Sequence, residues 1–373
     1  MKNAKRYTVL VKDVMRAMED IAPARLAVPH DPVGLQSGAP GRSVARLLLA
    51  LEATPEVLAS ARAGTMVITH HPRFYRGLPD IRDDRFLGAL AGAALKKGVS
   101  LFAAHTNLDI APDGVNDRLA ALCGLRADGA LAVMETVHRL PYYKLTVFVP
   151  VTHWEETARA VCAAGAGQVG DYSDCLYRVA GTGSFRPGAR ARPFIGVRGK
   201  TAEVAEYRLE ALVPPRCRAA VEKALLTAHP YEEPAYDFIP LERTENLGLG
   251  RVGSLTRPLT LGAYARKVKK TLNSPGTLCS GDADWRVSRV AVWSGAGLDL
   301  ATALRARADA VVCGELDHHS AEVLYHNRVG VIAVGHGASE RHIVPVLASK
   351  LKAEFPELEI SAVPADAHYF RNV

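Results

Sequence analysis

At 373 residues the chain is long enough for two or three domains with separate cores, and its 48% hydrophobic and 23% charged content is ordinary for a globular protein. A net charge of +7 suits an anionic partner such as a nucleotide or nucleic acid, although the basic residues are spread along the chain as on any basic surface. No uncharged apolar run approaches bilayer length, and Met1-Lys-Asn-Ala-Lys-Arg-Tyr7 lacks the apolar centre of a signal peptide, so a cytoplasmic protein without membrane contact is expected. Cys123, Cys162, Cys175, Cys217, Cys279 and Cys313 form no Cys-x-x-Cys pair, which speaks against a disulfide framework and a thiolate zinc site and leaves them as buried small hydrophobes.

Thr8 is placed to cap a first helix whose apolar residues Val11, Val14, Met15, Met18 and Ile21 recur at three- and four-residue spacing, with Pro23 ending it. Asp31-Pro-Val-Gly-Leu-Gln-Ser-Gly38 reads as an ordered loop, Val44 to Ala50 as a strand, and Pro55 to about Arg62 as a short helix. The β-branched run Thr65 to Thr69 reads as a buried strand that delivers His70 and His71 before Pro72 stops it. A helix from about Asp84 to Lys97, ended by Gly98, leads to a strand from Val99 to Ala104, then His105-Thr-Asn-Leu-Asp109 and a helix from about Gly114 to Leu122. Strands alternating with helices predict a parallel sheet with crossover helices, whose ligands collect beyond the carboxyl ends of the strands. His70, His71, His105 and Asp109 all fall there.

From about Leu131 the texture changes to strand (Tyr142 to Val149), helix (Glu155 to Ala163), strand (Cys175 to Val179), strand (Glu206 to Val213), helix (Cys217 to Thr227) and strand (Tyr236 to Pro240). This predicts an inserted α+β domain over 132–243, between the two parts of an α/β core, 1–131 and 244–373. Beyond it the first pattern returns, with strands Val287 to Trp293, Ala308 to Cys313 and Val329 to Val334, and helices Leu298 to Arg307, His319 to Asn327 and from Gly335-His336-Gly-Ala-Ser-Glu340 to about Lys352.

The two outer parts repeat each other: each carries a histidine pair, then a histidine with a carboxylate four residues on. These are His70 and His71 with His105 and Asp109, and His318 and His319 with His336 and Glu340. A histidine and a carboxylate four apart at a helix entrance lie on one face, where both can reach one ion, though the carboxylate can equally cap its helix. Imidazole with carboxylate suits zinc, manganese, iron or cobalt better than calcium or magnesium, and a carboxylate can bridge two ions, which makes Asp109 or Glu340 a natural link.

Together, Asp31-Pro-Val-Gly-Leu-Gln-Ser-Gly38, Thr69-His-His-Pro72, His105-Thr-Asn-Leu-Asp109, Gly114-Val-Asn-Asp117, Gly248-Leu-Gly-Arg-Val-Gly253 and Gly335-His336 with Glu340 resemble the Nif-three-like dinuclear metal-centre proteins, often labelled GTP cyclohydrolase I type 2-like. The middle segment, with Ala228-His-Pro-Tyr-Glu-Glu-Pro-Ala-Tyr236, looks like the PII/CutA-like, ferredoxin-like insertion of the longer members. The resemblance implies two divalent ions per chain, zinc or iron or manganese, held by His70, His71, Asp109, His336 and Glu340, with Glu340 bridging. It also implies a homohexamer around a cavity onto which the sites open. His105 is then a supporting or proton-transfer residue, the catalytic candidate. Glu315 stands where the family usually has aspartate, which leaves its role, and those of His318 and His319, open.

Gly248-Leu-Gly-Arg-Val-Gly253 also spells G-x-G-x-x-G, but no helix opens at those glycines, so a dinucleotide site is not expected. Ser294-Gly-Ala-Gly297 reads as a tight turn that could hold an anion, and Tyr231, Glu232 and Glu233 as the lip of the cavity or a charged edge loop. Three functions are compatible with these residues: a metal-dependent hydrolase acting on a nucleotide or related small molecule, a non-enzymatic metal-binding or regulatory assembly, and nucleic-acid processing inside a basic ring. Phosphodiester turnover lost in Glu340→Ala separates the first and third from the second, and binding lost steeply with salt singles out the third.

Overall fold

The computed structural model describes residues 8–126 and 131–363; the reading of the first seven residues lies outside them. In chain order the elements are α1 (Val11–Ile21), β1 (Gly34–Ser37), β2 (Arg46–Ala50), α2 (Pro55–Ser60), β3 (Thr65–Thr69), α3 (Phe86–Lys97), β4 (Ser100–Ala103), α4 (Thr106–Ile110), α5 (Val115–Leu122) and β5 (Ala132–Pro150). There follow α6 (Trp154–Ala163), β6 (Leu176–Phe185), β7 (Ala202–Val213), α7 (Arg218–Ala228), β8 (Tyr236–Thr260), α8 (Leu261–Thr271), β9 (Leu278–Ser280) and β10 (Arg286–Trp293). The last are α9 (Leu300–Arg305), β11 (Ala310–Cys313), α10 (His318–His326), β12 (Gly330–Ala333), α11 (His336–Glu340), α12 (Ile343–Glu354) and β13 (Glu359–Ala362). The chain packs as a main unit, residues up to His138 and from Leu247, and an inserted unit, Arg139–Asn246.

The main unit carries the α/β repeat. Its first sheet has the order β1-β4-β3-β2-β13, with β13, β2, β3 and β4 parallel and β1 antiparallel at the edge. Every residue of β3 and β4 is buried, as unbroken apolar strands covered on both faces require. The second sheet runs β8-β10-β11-β12-β9, with β10, β11 and β12 parallel between antiparallel edges. Helix α3 ends where predicted: Gly98 adopts φ 66° and its N–H reaches back to Ala94, a conformation glycine takes without the steric cost of a Cβ.

Local differences from the sequence reading have local causes. Helix α1 begins after Leu10, whose N–H donates to the Asp13 carboxylate at 2.9 Å, and the Val11 and Lys12 N–H groups donate to the Arg42 and Pro40 carbonyls at 2.9 Å, so these carbonyls take the part assigned to Thr8. The loop Asp31 to Gly38 contains the edge strand β1, and the helix expected after Gly335 is two helices, α11 and α12. Cys123 and Cys313 are buried, which pushes both thiols up to about 12, but Cys162, Cys175 and Cys217 are only half-buried and Cys279 on edge strand β9 is exposed.

The G-x-G-x-x-G stretch lies inside β8 with no helix at its glycines, as expected. Arg251 at its centre is 4% exposed, and its guanidinium donates to the Gly248 and Gly250 carbonyls and to Asp117 of α5. Fully buried Tyr264 donates its hydroxyl to the Cys123 carbonyl at 3.0 Å within a core of Leu119, Leu261, Val268, Val290 and Val312. Tyr264→Phe keeps the ring but orphans that carbonyl, so a loss of about 1–2 kcal/mol is expected, read as a lower urea midpoint at unchanged slope.

The inserted unit runs β-α-β-β-α-β, with strand order β6-β7-β5-β8, the split-βαβ arrangement expected for a ferredoxin-like α+β domain. Leu145, Val147 and Val149 of β5 and Leu209, Ala211 and Val213 of β7 pack against Trp154, Ala158 and Val161 of α6 and Val221 and Leu225 of α7. Both helices cover one face of the sheet, and the alternation of the strands turns the other set of side chains away from them.

Candidate metal centre

The ends of the main-unit strands deliver one cluster. His70 and His71 follow β3, His105 follows β4 and opens α4, Asp109 lies one turn into α4, Ser294 follows β10, and His336 and Glu340 are the first and last residues of α11 after β12. These are the carboxyl ends of parallel strands, where crossover connections leave a crevice. His70, Asp109 and Glu340 are buried, His71 and His105 half-buried, and the His336 side chain is 37% exposed at the outer edge.

Each imidazole is held through Nδ1. His70 Nδ1 lies 2.9 Å from the Ala104 carbonyl, His71 Nδ1 3.3 Å from Glu52, His105 Nδ1 2.9 Å from Asp31, and His336 Nδ1 3.2 Å from Glu315. Four acceptors fix four Nδ1–H donors, so in the neutral ring it is Nε2 that carries the lone pair. Those lone pairs point inward. His70 Nε2 sits 3.7 Å from both Asp109 Oδ1 and Glu340 Oε1, whereas His71 Nε2 and His336 Nε2 sit 3.0 and 3.4 Å from Glu340 Oε2 and 3.3 Å from each other.

His70 Nε2 and Glu340 Oε2 are fully buried yet find no hydrogen bond among the described residues. Leaving two buried polar atoms unsatisfied costs about 1–3 kcal/mol each, a cost that an ion seated between them would remove. Donor separations of 3.0 to 3.7 Å are those of ligands sharing one ion at bond lengths of about 2.0–2.2 Å. His70, His71 and His105 form one group able to hold an ion, and His71, His336 and Glu340 another.

Without an ion, the charges adjust to one another. Burial opposes ionisation of Glu340, but His70 and His71 outweigh it and hold the carboxyl well below the usual carboxylate range. Burial alone would depress the His71 imidazole, yet the Glu340 and Glu52 carboxylates on its two sides push it up to about 9. Asp109 is raised, chiefly by burial, with His70 opposing. Asp31 is burdened by burial too, but His105 and Thr106 bring its carboxyl below the ordinary value.

The structure gathers His70, His71, His105, Asp109, His336 and Glu340, but not the second histidine pair. His318 and His319 open α10 behind an Asp317 cap, and the His319 side chain is 89% exposed, 3.9 Å from Glu322. The repeat therefore holds for the strands and for the His-x-x-x-acid couples, and fails for the His-His pairs. Glu315 does have a position, at His336 Nδ1.

Residues without any metal-like spacing complete the centre. Ser294 donates to Asp109 Oδ1 at 3.0 Å, and Asn116 donates to the Asp109 carbonyl at 3.1 Å while accepting from the Ser294 N–H at 3.0 Å, which ties the two halves of the repeat together. Gly295 adopts φ 63°, and a Cβ there would stand 2.3 Å from Glu340 Oε1, so the Ser294-Gly-Ala-Gly297 turn is a close backbone approach to Glu340. Asp31 and Asn116 belonged to noticed motifs, but nothing local announced which side chain each would meet.

A sequence profile of the Duf34/NIF3 (NGG1p interacting factor 3) family matches residues 9–368. The chain is 41% identical over 336 residues to the GTP cyclohydrolase 1 type 2 homolog of Mycobacterium leprae, covering 88% of this chain and 86% of that protein. It is 38% identical over 333 residues to the Bacillus subtilis homolog of the same name, covering 88% of each. Its fold is similar to the crystal structure of a Bacillus cereus protein related to NIF3, with TM-score 0.80 and 34% identity over 98% of this chain and 100% of that one. With two α/β halves sharing one histidine and carboxylate cluster, an inserted α+β unit and matches along nearly its whole length, the chain belongs to the Duf34/NIF3 family.

Proposed function

We propose that the cluster holds two divalent cations and that the protein is a metal-dependent hydrolase acting on a nucleotide or related small molecule. The observation that carries this reading is convergence: with each Nδ1 fixed by a partner, the inward Nε2 atoms meet the two oxygens of one buried carboxylate, where a divalent ion would take the place of the shared protons. His70, which faces both Asp109 Oδ1 and Glu340 Oε1, and His71 with His336, which face Glu340 Oε2, would supply two ligand sets that share the Glu340 carboxylate. Mixed nitrogen and oxygen donors favour zinc, iron or manganese. Bound there, the ions would supply Lewis acidity and bring the ionisation of water toward neutral pH.

The chain's own residues would do the remaining work. His105, with Nδ1–H clamped on Asp31, keeps Nε2 free to accept a proton at the wall of the site. Ser294 and Asn116 hold Asp109 in place, and half-exposed His336 marks the side open to substrate. The naming of the relatives as GTP cyclohydrolase 1 type 2 homologs makes GTP the first substrate to test, and the net charge of +7 favours an anion. The family resemblance adds a cytoplasmic homohexamer, for which light scattering at six chain masses is the check.

Protein loaded with zinc, iron(II) or manganese is expected to convert GTP, or to cleave an activated phosphodiester, followed by chromatography of the products. His105→Gln should slow turnover about 100-fold or more while metal content stays unchanged. Metal-loaded protein inert toward both substrate types would reject the hydrolase and leave a metal-binding assembly.

A further inference from the structure

On the inserted unit, the sheet face turned away from α6 and α7 holds a cavity of about 740 Å³, within the range of small-molecule sites. Strand β6 floors it, the segment 186–195 and the turn at Tyr231 to Glu233 wall it, and Glu206 stands inside. Glu206 lies mid-strand in β7, opposite Gly181 of β6, and is only 7% exposed. A carboxylate is costly to bury in a sheet without donors. The Tyr231 hydroxyl donates to Oε1 at 2.9 Å, and no described residue donates to Oε2. Gly183 makes room for that second oxygen, since a Cβ there would stand 2.1 Å from it.

Around this carboxylate the walls are aromatic. Phe148, Phe185, Phe194 and Tyr231 all line the cavity, with the Tyr231 ring centroid 5.9 Å from Phe185 and 6.4 Å from Phe194. Phe194 is 51% exposed and packs edge-on against His153 at 5.1 Å, so its ring is open to a ligand in the cavity. Burial and Glu206 raise the Tyr231 hydroxyl above its ordinary value, which keeps it a donor. The lining also carries Glu232 and Glu233 against Arg186 and Arg208, leaving an excess of one negative charge. Both guanidiniums have other partners, Arg186 on the Thr201 hydroxyl and Arg208 on Glu210 at 3.3 Å.

We propose that this cavity is a binding site for a small organic cation, an amine or amidine on an apolar or aromatic body, whose N–H donors meet Glu206 Oε2 while its body lies among Phe185, Phe194 and Tyr231. Aromatic faces attract a cation, and a buried carboxylate with one unmet oxygen selects an N–H donor over a neutral or anionic group. Such a site gives the inserted unit a ligand of its own, independent of the metal centre.

The probe is benzamidine, with neutral benzamide as its isostere, titrated into the full-length protein by calorimetry. Saturable binding below about 5 mM is expected for benzamidine, with benzamide at least tenfold weaker. Glu206→Gln should weaken benzamidine about tenfold or more and narrow its margin over benzamide, and Phe194→Ala, at a position 51% exposed, should weaken both, with thermal unfolding checking that each variant is folded. Absence of saturable benzamidine binding, equal affinity for the two probes, or binding indifferent to Phe194→Ala and Glu206→Gln overturns the assignment.

Discussion

Glu340→Ala is expected to reduce the metal content of the purified protein from about two ions per chain to fewer than one, because both ligand sets lose their shared carboxylate at once. His70→Ala should fall by less, about one ion, since His70 meets only Oε1 of Glu340 and His71 and His336 keep Oε2. Elemental analysis after incubation with zinc, iron(II) or manganese makes the measurement, and thermal unfolding checks that both variants remain folded. Near-stoichiometric metal retained in Glu340→Ala would remove the bridge from the reading. A wild-type chain that takes up none of the three metals would remove the centre itself, and with it the hydrolase.

Arg251→Met should be the most damaging single change away from the cluster. The methionine fills part of the same volume, but the Gly248 and Gly250 carbonyls lose their donor and Asp117 loses its counter-charge. Removing one partner of such a buried pair costs about 3–5 kcal/mol, and the 28% exposure of the Asp117 side chain places this case at the lower end. A fall of roughly 6–12 °C in Tm follows for a unit of this size. Asp117→Asn, which keeps an acceptor for the guanidinium, should cost less, and calorimetry can rank the two. A fall in Tm under 2 °C for Arg251→Met would show that β8 does not depend on this guanidinium.

The alternating texture was readable because short apolar runs such as Thr65 to Thr69 and Ala310 to Cys313, separated by helical patterns, are what the doubly covered strands of a parallel sheet require. The same physics made the candidate ligands readable, since residues just past such strands must gather at one edge. What stayed illegible was short or non-local. Strands β9 and β13, of three and four residues, carry no periodicity, and β13 joins the sheet of the first half beside β2 although it ends the second. Only chain reversal after α12 brings them together.

His318 and His319 show the limit of reading from a repeat. Their spacing imitates His70 and His71, but a helix N-terminus capped by Asp317 turns them into solvent, whereas β3 carries the first pair into the crevice. Sequence alone was sufficient for the two-part α/β core and the inserted α+β unit, because burial periodicity is a property of a few adjacent residues, while the set of candidate ligands came from motifs that resemble the Nif-three-like proteins. Tertiary structure decided which oxygen of Glu340 each histidine faces, which acceptors orient the rings, and that Ser294 and Asn116 fasten Asp109. Those relations join residues up to hundreds of positions apart, and only the packing of one sheet's strand ends against the other's sets their distances.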